Sequence, residues 1–337
     1  MSMRRDVFPP GPPRSHRRFL SAFSVCSAVA WMLLFAPSAQ AADRFALVIT
    51  GASAGPAYSE KYDTWRNSLV TTLKQKFGYP DDHVFVLAEV EGPNVARSTR
   101  ENVRLALDRL RMKIGRDDVV FVILIGHGTT TGDDQAKFNL VGPDLNAGEW
   151  AGLLAPIAGR VVFVDTTAGS FPFLRRLSAP RRIVVTATDS SAQQFETVFA
   201  GFFVDAFDGP AADLDKNGRV SIWEAFSYAS AAVRRWYDQR GRLPTERPLL
   251  DDNGDGVGRE AQNPGPDGAI ASVVYLAPET PASTDSDPSR RLEELHRQLD
   301  DLRLRKASSA EPSQLDAEIE KILVEIAQLS RRQLRKD

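Results

Sequence analysis

"VVFVILIGHG" (Val119–Gly128) is the stretch of sequence that decides the fold. Its seven apolar residues, Val119 to Ile125, have the length and composition of a strand that is buried on both faces. His127 follows the strand between two glycines, so no adjacent side chain crowds its imidazole ring. A histidine displayed at a strand end in this way is a candidate catalytic or ligand-contacting group.

Similar apolar runs recur along the chain and alternate with segments of helical spacing. Strands are predicted at Arg44–Thr50, His83–Ala88, Arg160–Asp165 and Arg181–Ala187, and helices at Ser59–Phe77, Ser98–Ile114 and Glu149–Ile157. The second of these helices starts with a capping pattern, Ser98 followed by Glu101. The alternation predicts an α/β fold in which a parallel sheet is covered by helices on both faces.

Polar residues follow three of the predicted strands. His127 ends one strand, Asp165 ends the next, and Asp189 follows the third, with Gln193 a few residues further on. In open parallel sheets, functional groups gather beyond the carboxyl ends of the strands, so these residues are expected to share one site. The alternative is structural, because polar residues commonly end buried strands.

The order strand–His-Gly, strand–Asp, strand–Thr-Ala-Thr-Asp resembles the caspase-fold cysteine peptidases, and within them the legumain-like group of bacteria. The resemblance covers about residues 44–205. It implies that His127 fills the position of the catalytic histidine and that Asp165 is the acidic residue before the nucleophile. It also implies that Asp189 and Gln193, in "TATDSSAQQF", belong to the downstream pocket segment.

The nucleophile position departs from the family. The stretch after the strand reads "VDTTAGSFPF", and it aligns either Thr167 or Ala168 with the missing cysteine, depending on whether Asp165 or Ser170 anchors the count. A threonine hydroxyl is far less acidic than a thiol and needs a base positioned for it. We therefore expect a caspase-like fold without peptidase activity. The alternative is a hydrolase that uses Thr167 or Ser170 together with His127.

Two acidic loops follow the predicted sheet. "DLDKNGRVSIWE" matches the twelve-residue EF-hand calcium loop, with its glycine at position six and ligands expected at Asp213, Asp215, Asn217, Arg219 (carbonyl), Ser221 and Glu224. The predicted helix after it, residues 222–240, should pack its aromatic side chains on the domain. "DDNGDGVGRE" is a weaker match through Asp251, Asn253 and Asp255, and an Asx-rich turn is its alternative. The sequence "LLDDNGDG" after an EF-type loop also resembles legumain-like bacterial sequences.

The amino-terminal 41 residues have the pattern of an export signal. A basic segment, an apolar segment and the "AQA" motif predict cleavage before Ala42, with an uncleaved membrane anchor as the alternative. Cys26 lies in the apolar segment and is the only cysteine, so the exported chain would have no thiol. The formal net charge of -2 gives no indication of nucleic-acid binding.

The remaining segments complete the predicted organisation: a signal peptide at 1–41, a caspase-like domain at 42–276, a Pro/Ser/Thr/Asp linker at 277–289 and a helical tail at 290–337. The tail has Leu and Ile at three- and four-residue spacing, which predicts a helical hairpin or a coiled coil. It either docks on its own domain or mediates self-association.

Together these patterns predict a periplasmic or secreted protein that binds Ca²⁺ and acts as a binding or scaffold protein. Its partner would be a protein or peptide that the sequence does not identify. After signal cleavage no membrane span is expected. Two carboxylates in one cleft, Asp165 and Asp189, would favour peptides that contain arginine.

Overall fold

The structure is a computed structural model that describes residues 42–130, 136–193, 195–278, 287–307, 309 and 311–333. The predicted signal segment and most of the predicted linker lie outside these residues. The described part is a mixed α/β fold built on a seven-stranded, mostly parallel sheet.

The main sheet has the strand order β10-β9-β8-β4-β1-β2-β3. Its strands are β1 (Arg44–Thr50), β2 (Val84–Ala88), β3 (Ala96–Arg97), β4 (Val119–Ile125), β8 (Arg160–Asp165), β9 (Arg182–Thr186) and β10 (Leu249–Asp251). Every pairing is parallel except that of β10 with β9. The five strands predicted from the sequence are confirmed to within one residue at each end.

β4 lies between β1 and β8, and almost every residue of these three strands is buried. Ile125 pairs with Thr50 of β1, and Leu124 pairs with Asp165 of β8, so the carboxyl ends of the three strands reach the same edge. The connection order reverses between β1 and β4, which makes the gap beyond these two strands the topological switch point of the sheet.

A smaller antiparallel sheet follows β4. It consists of β5 (Gly128–Thr129), β6 (Lys137–Phe138) and β7 (Leu145–Asn146). Asn139 links it to the main sheet, because its carbonyl accepts from Ala52 N at 3.0 Å and its N–H donates to His127 O at 3.0 Å. The small sheet therefore fixes the backbone on both sides of the switch point.

Eight α-helices lie within the described residues: α1 (Pro56–Thr71), α2 (Arg100–Lys113), α3 (Ala147–Leu154), α4 (Phe171–Leu177), α5 (Phe199–Asp205), α6 (Ile222–Asp238), α7 (Asp287–Ala307) and α8 (Asp316–Gln333). Two apolar clusters fill the two faces of the main sheet. As predicted, α6 packs its aromatic residues on the domain: Phe226 is fully buried, and Trp223, Tyr228 and Trp236 pack against the first cluster.

The predicted capping pair of α2 is wrong by one residue. The N-cap is Thr99, whose Oγ1 accepts from Asn102 N at 3.3 Å, while Ser98 is fully buried. Ser98 instead belongs to the β2 edge, because its N–H donates to Ala88 O at 2.7 Å. The tertiary contact thus moves the helix start one residue further along the chain.

The tail forms two antiparallel helices, and it begins at Asp287 rather than at the predicted residue 290. Arg291 near the start of α7 pairs with Glu325 of α8 at 2.8 Å, and Lys306 near its end pairs with Asp316. α7 contacts the domain through Asp300, which bonds Tyr275 and pairs with Arg219, and through Arg303, which pairs with Asp215. Leu295, Leu299 and Leu302 of α7 are buried. Docking on its own domain, one of the two predicted roles of the tail, is therefore confirmed for α7.

None of the described helices combines the length and apolar character needed to cross a bilayer.

Leu299 provides a test of tail docking. Its side chain is 1% exposed, so Leu299→Ala should destabilise the docked state of α7 by about 2–4 kcal/mol through lost burial and a residual cavity. The matched control is Leu323→Ala in α8, where the leucine is 43% exposed and a change within about 0.5 kcal/mol is expected. Hydrogen exchange of the α7 amides measures both, and equal exchange in the two variants would contradict the docking.

Candidate functional site

His127 lies at the switch point, where β4 ends beside β1. Its Nε2 lies 3.2 Å from the backbone oxygen of Ser53 and 3.3 Å from the Tyr62 hydroxyl. A carbonyl oxygen only accepts, so the contact with Ser53 requires a proton on Nε2. The rings of Tyr58 and Tyr62, both on α1, approach the imidazole edge-on at centroid distances of 4.8 and 5.6 Å. Half-buried and enclosed in this way, the imidazole has a fixed orientation.

The loop after β1 supplies a second polar group beside the histidine. Ser53 is 4% exposed, and both its N–H and its hydroxyl donate to Glu89 Oε2, at 3.2 and 2.5 Å. The next residue, Ala54, has a φ of 59°, a left-handed backbone that non-glycine residues rarely adopt. Strain of this kind concentrates at binding and catalytic loops, which supports a role for this edge of the sheet.

Asp165 ends β8 and is fully buried. The N–H of Thr167 donates to its Oδ1 at 2.9 Å. Burial raises the pKa of Asp165 to about 7, and the hydrogen bonding from Thr167 only partly offsets this rise. The carboxyl is thus a buried structural group at the strand end, and no ligand can contact it in this conformation.

Thr167, one of the two residues aligned with the missing cysteine, is also fully buried. Its side chain packs so closely on Gly128 that a Cβ at position 128 would overlap the threonine hydroxyl. This contact gives a physical reason for the glycine after His127. Ala168 is half-buried and carries no reactive group.

Ser170, the other candidate hydroxyl, lies in the interior. Its Oγ accepts from the backbone N–H groups of Ala187 and Thr188, at 3.1 and 3.2 Å, and contacts the Thr188 hydroxyl at 3.0 Å. These bonds tie the start of α4 to the end of β9. Neither Thr167 nor Ser170 is hydrogen-bonded to His127 in the described structure.

The other two predicted pocket residues are separated from Asp165. Asp189 is partly exposed and forms an ion pair with Arg247 of the same chain at 3.2 Å. Gln193 is 8% exposed, and its Oε1 accepts from Phe195 N at 3.4 Å. The guanidinium expected from an arginine-containing peptide is therefore already supplied to Asp189 by Arg247.

The first acidic loop brings three carboxylates together. Asp213, Asp215 and Glu224 each place an oxygen within 4.8 Å of the other two, and Asp213 and Glu224 are buried. Burial and the neighbouring Glu224 carboxylate raise the pKa of Asp215. At the sharp turn Gly218 has a φ of 84°, the conformation for which the loop pattern requires glycine.

Glu224 joins this loop to the helix that follows. Its Oε2 accepts from the backbone and hydroxyl of Ser221 at 2.9 and 2.8 Å, which completes a capping box at the start of α6. Its Oε1 accepts from the N–H groups of Leu214 and Asp215, at 2.8 and 3.2 Å. One carboxylate thus closes the loop and caps the helix.

The tail helix α7 contacts the same loop. Arg303 approaches Asp215 at 3.6 Å, and Asp300 approaches Arg219 at 3.5 Å. Tyr275 connects the two segments, because its hydroxyl donates to Asp300 Oδ2 at 3.1 Å and accepts from Asn217 Nδ2 at 3.1 Å. Asp215 and Arg219 of the first acidic loop therefore contact the tail directly, and Asn217 is linked to it through Tyr275.

The second acidic loop has a different arrangement. Asp251 accepts from the N–H groups of Gly254 and Gly256, at 2.8 and 2.9 Å, as in an Asx-rich turn. Asp255 accepts from Arg259 at 3.3 Å, and the same guanidinium contacts the buried Asp267 at 2.6 Å. An arginine thus already supplies positive charge to this loop, while the side-chain oxygen Oδ1 of Asn253 accepts from Asp255 N at 2.8 Å.

No protein-family model and no curated protein matches this chain. Among solved structures, the crystal structure of protein GSU0716 from Geobacter sulfurreducens is similar to it, with a TM-score of 0.41 and 14% identity. That similarity covers 62% of this chain and 92% of the other. A similarity at this level supports no conclusion about family or function.

Ser53 and Tyr58, which contact His127, were not predicted from the sequence. Nor were Glu89, which bonds Ser53, and Arg247, which pairs with Asp189. Tyr62 was predicted only as part of the apolar face of its helix. The positions of these residues depend on which strands are neighbours in the sheet, and strand order has no local signal. The glycine-rich stretch after β1, "GASAG", is the one feature that could have indicated a functional loop.

The pKa of Asp165 gives a testable pH dependence. A carboxyl whose pKa is raised by folding stabilises the protein below its unfolded pKa, and that contribution is lost as the pH rises through about 7. Asp165→Asn lacks this titration. Relative to the wild type, its free energy of unfolding should therefore rise by roughly 3 kcal/mol between about pH 4 and pH 8. Urea unfolding at the two pH values measures this, and a constant difference would contradict the assignment.

Proposed function

We propose that this chain is an exported calcium-binding protein that holds a peptide or protein ligand and does not hydrolyse it. In this proposal its α/β domain is related to the legumain-like, caspase-fold peptidases. The observation that carries the calcium part is the group formed by Asp213, Asp215 and Glu224, whose oxygens converge within one loop. The export part rests on the amino-terminal sequence pattern.

The donor set fits calcium. The side chains of Asp213, Asp215, Asn217 and Glu224, together with the Arg219 carbonyl, offer only oxygen, and hard cations of the calcium type prefer oxygen ligands. Burial and then the neighbouring Glu224 carboxylate raise the pKa of Asp215, so part of the rise reflects repulsion between carboxylates. A divalent cation would relieve that repulsion. The number and flexibility of the ligands favour Ca²⁺ over the smaller Mg²⁺.

Bound calcium would supply a fixed positive charge at the junction between the sheet domain and α6. Glu224 already bonds the first residues of the loop and the first turn of α6. An ion held by the same carboxylate would therefore resist local unfolding of that helix. Because the ion binds the folded loop preferentially, its binding free energy should be measured as folding stability.

Calcium should raise the stability of the full chain. At a free concentration a hundredfold above the dissociation constant, the gain should be roughly 2.7 kcal/mol. Extracellular modules bind with dissociation constants of about 0.1 to 1 mM, so millimolar calcium is the working range. Glu224→Gln removes a charge and the bidentate closure, and it should remove most of the gain. Thermal melts with calcium and with chelator measure the effect.

Glu149→Gln is the matched control. Glu149 occupies the same third helical position of a capping box at the start of α3, remote from the acidic loop in sequence. That variant loses the same charge and a similar cap, so it should be destabilised modestly and keep the full calcium response. Coincident wild-type melts with calcium and with chelator, or equal calcium responses of the two variants, would contradict the proposal.

The geometry around His127, at the carboxyl edge of the main sheet, supports ligand binding without hydrolysis. Thr167 and Ser170 are buried, and the Ser170 hydroxyl is engaged with backbone N–H groups. Nucleophilic catalysis requires a hydroxyl within hydrogen-bonding reach of its base. The Nε2 of His127 instead contacts Ser53 and Tyr62, so we assign the histidine to the wall of a ligand site.

The purified chain should therefore hydrolyse no peptide above background. Peptides with Arg or Asn before the scissile bond should remain intact in millimolar calcium, and His127→Ala should leave the result unchanged. Product formation measured by mass spectrometry over a day is the readout. Turnover by the wild type that disappears in Thr167→Ala or Ser170→Ala would instead establish the alternative, a hydrolase with a hydroxyl nucleophile.

Self-association through the tail is a further part of the proposal. Leu323 and Val324 of α8 are 43% and 50% exposed, whereas Leu295, Leu299 and Leu302 of α7 are buried. Exposed apolar residues on an amphipathic helix are compatible with a second copy or with the unidentified protein partner.

A further inference from the structure

A cavity opens at the amino edge of the main sheet, which is the edge opposite to the one where His127 lies. It has a volume of about 450 Å³ and lies at the amino ends of β1, β4 and β8, with α7 along one side. Five arginines and three aspartates line it, so its wall carries an excess of positive charge. The arginines are Arg44, Arg160, Arg181, Arg219 and Arg297.

Three of these arginines have identifiable partners. Arg219 stacks on Tyr275 at 3.8 Å and forms an ion pair with Asp300 at 3.5 Å. Arg297, on α7, pairs with Glu294 at 2.5 Å. Arg44 donates to the backbone oxygens of Tyr275 and Ala42, at 3.3 and 3.4 Å. Only the first two are neutralised by a carboxylate.

Neither Arg160 nor Arg181 forms an ion pair with a carboxylate in the described part of the chain. Within the described residues, the Arg160 guanidinium makes no hydrogen bond and no ion pair, although the residue is only partly exposed. Arg181 donates to the backbone oxygen of Arg116, and its buried Nε has no acceptor. Burial and then the charge of Arg181 lower the pKa of Arg160, and the Asp252 carboxylate only partly offsets this, so the two guanidinium groups repel each other.

The backbone at Arg181 adds an independent observation. Its φ of 64° lies in the left-handed region, which costs energy for a residue with a side chain. Arg181 directly precedes β9 and is one of the two arginines of the cavity wall that form no ion pair with a carboxylate. Strained backbone is typical of ligand sites, and here it places the Arg181 guanidinium, which has no ion-pair partner, at the cavity wall.

We propose that this cavity binds a phosphate-class oxyanion between the guanidinium groups of Arg160 and Arg181. A doubly charged anion with several oxygens can accept from both groups at once, and it would cancel their mutual repulsion. Arg44, at the start of β1, adds a further positive charge to the wall. A monocarboxylate carries only one negative charge, so it would leave a net positive charge on the pair of arginines. The proposal does not rest on calcium binding, although Arg219 of the first acidic loop lines this cavity.

The test is calorimetric titration of the full chain with inorganic phosphate at constant ionic strength. The wild type should bind phosphate, and Arg160→Gln and Arg181→Gln should each weaken the affinity by about tenfold or more, because each removes a charged hydrogen-bond donor. The Gln at position 181 has the same backbone cost as the arginine it replaces. Arg111→Gln on α2, an exposed arginine outside the cavity, is the control and should bind as the wild type does.

A thermal melt separates a ligand-binding role from a structural one. If Arg160 only repels its neighbour in the free protein, Arg160→Gln should melt at the same temperature as the wild type or higher in phosphate-free buffer. A lower melting temperature together with unchanged phosphate affinity would assign Arg160 to structure and overturn the proposal. Absence of phosphate binding by the wild type at up to 10 mM would also overturn it.

Two further ligands define the class. If glycerol 3-phosphate binds as tightly as inorganic phosphate, the cavity is a site for organic phosphomonoesters. If glycerol 3-phosphate does not bind, the cavity is a site for the free phosphate ion. Both results support the phosphate chemistry. Succinate that binds as tightly as phosphate, with the same loss in both arginine variants, would overturn it.

Discussion

The parallel pairing of β4 between β1 and β8 is the constraint on which the remaining structure depends. These strands are almost wholly buried, so their registers are set by apolar packing on both faces of the sheet. The pairing brings His127 and the Ser53 loop together at the carboxyl edge, with the end of β8 alongside. It also brings Arg44 and Arg160 to the amino edge, where Arg181 joins them. One sheet thus separates a compact polar site from a basic cavity on its opposite edge.

At the carboxyl edge of the main sheet, the side chains of Thr167 and Ser170 are fully buried, so neither hydroxyl is accessible to a substrate. Thr167 packs against Gly128, and the Ser170 hydroxyl bonds the backbone just after β9. Asp165 is fully buried. A hydroxyl in such an environment cannot reach a substrate without local unfolding. His127 remains on the accessible side, held by the contacts of its Nε2.

The sequence predicted the long strands well because a seven-residue apolar run has few alternatives in a water-soluble fold. Helix ends were predicted less well: Thr99 caps α2 because Ser98 is drawn into the sheet edge. The convergence of Asp213, Asp215 and Glu224 could be predicted because the three residues are close in sequence; their role as calcium ligands stays a prediction. Neighbours of His127 such as Tyr58 and Glu89 could not be predicted, because they meet it only through strand order and helix placement.

The first acidic loop connects the parts of the molecule, since Glu224 caps α6 and Tyr275 links Asn217 to the tail. The central claim is that an ion occupies this loop. Terbium luminescence tests it most directly, because a tyrosine in hydrogen-bond contact with the loop can transfer excitation to a bound lanthanide. The account predicts sensitised emission that calcium displaces and that Tyr275→Phe, which retains an aromatic ring with weaker near-ultraviolet absorption, reduces. No emission above that of free terbium, or emission that excess calcium leaves unchanged, would contradict it.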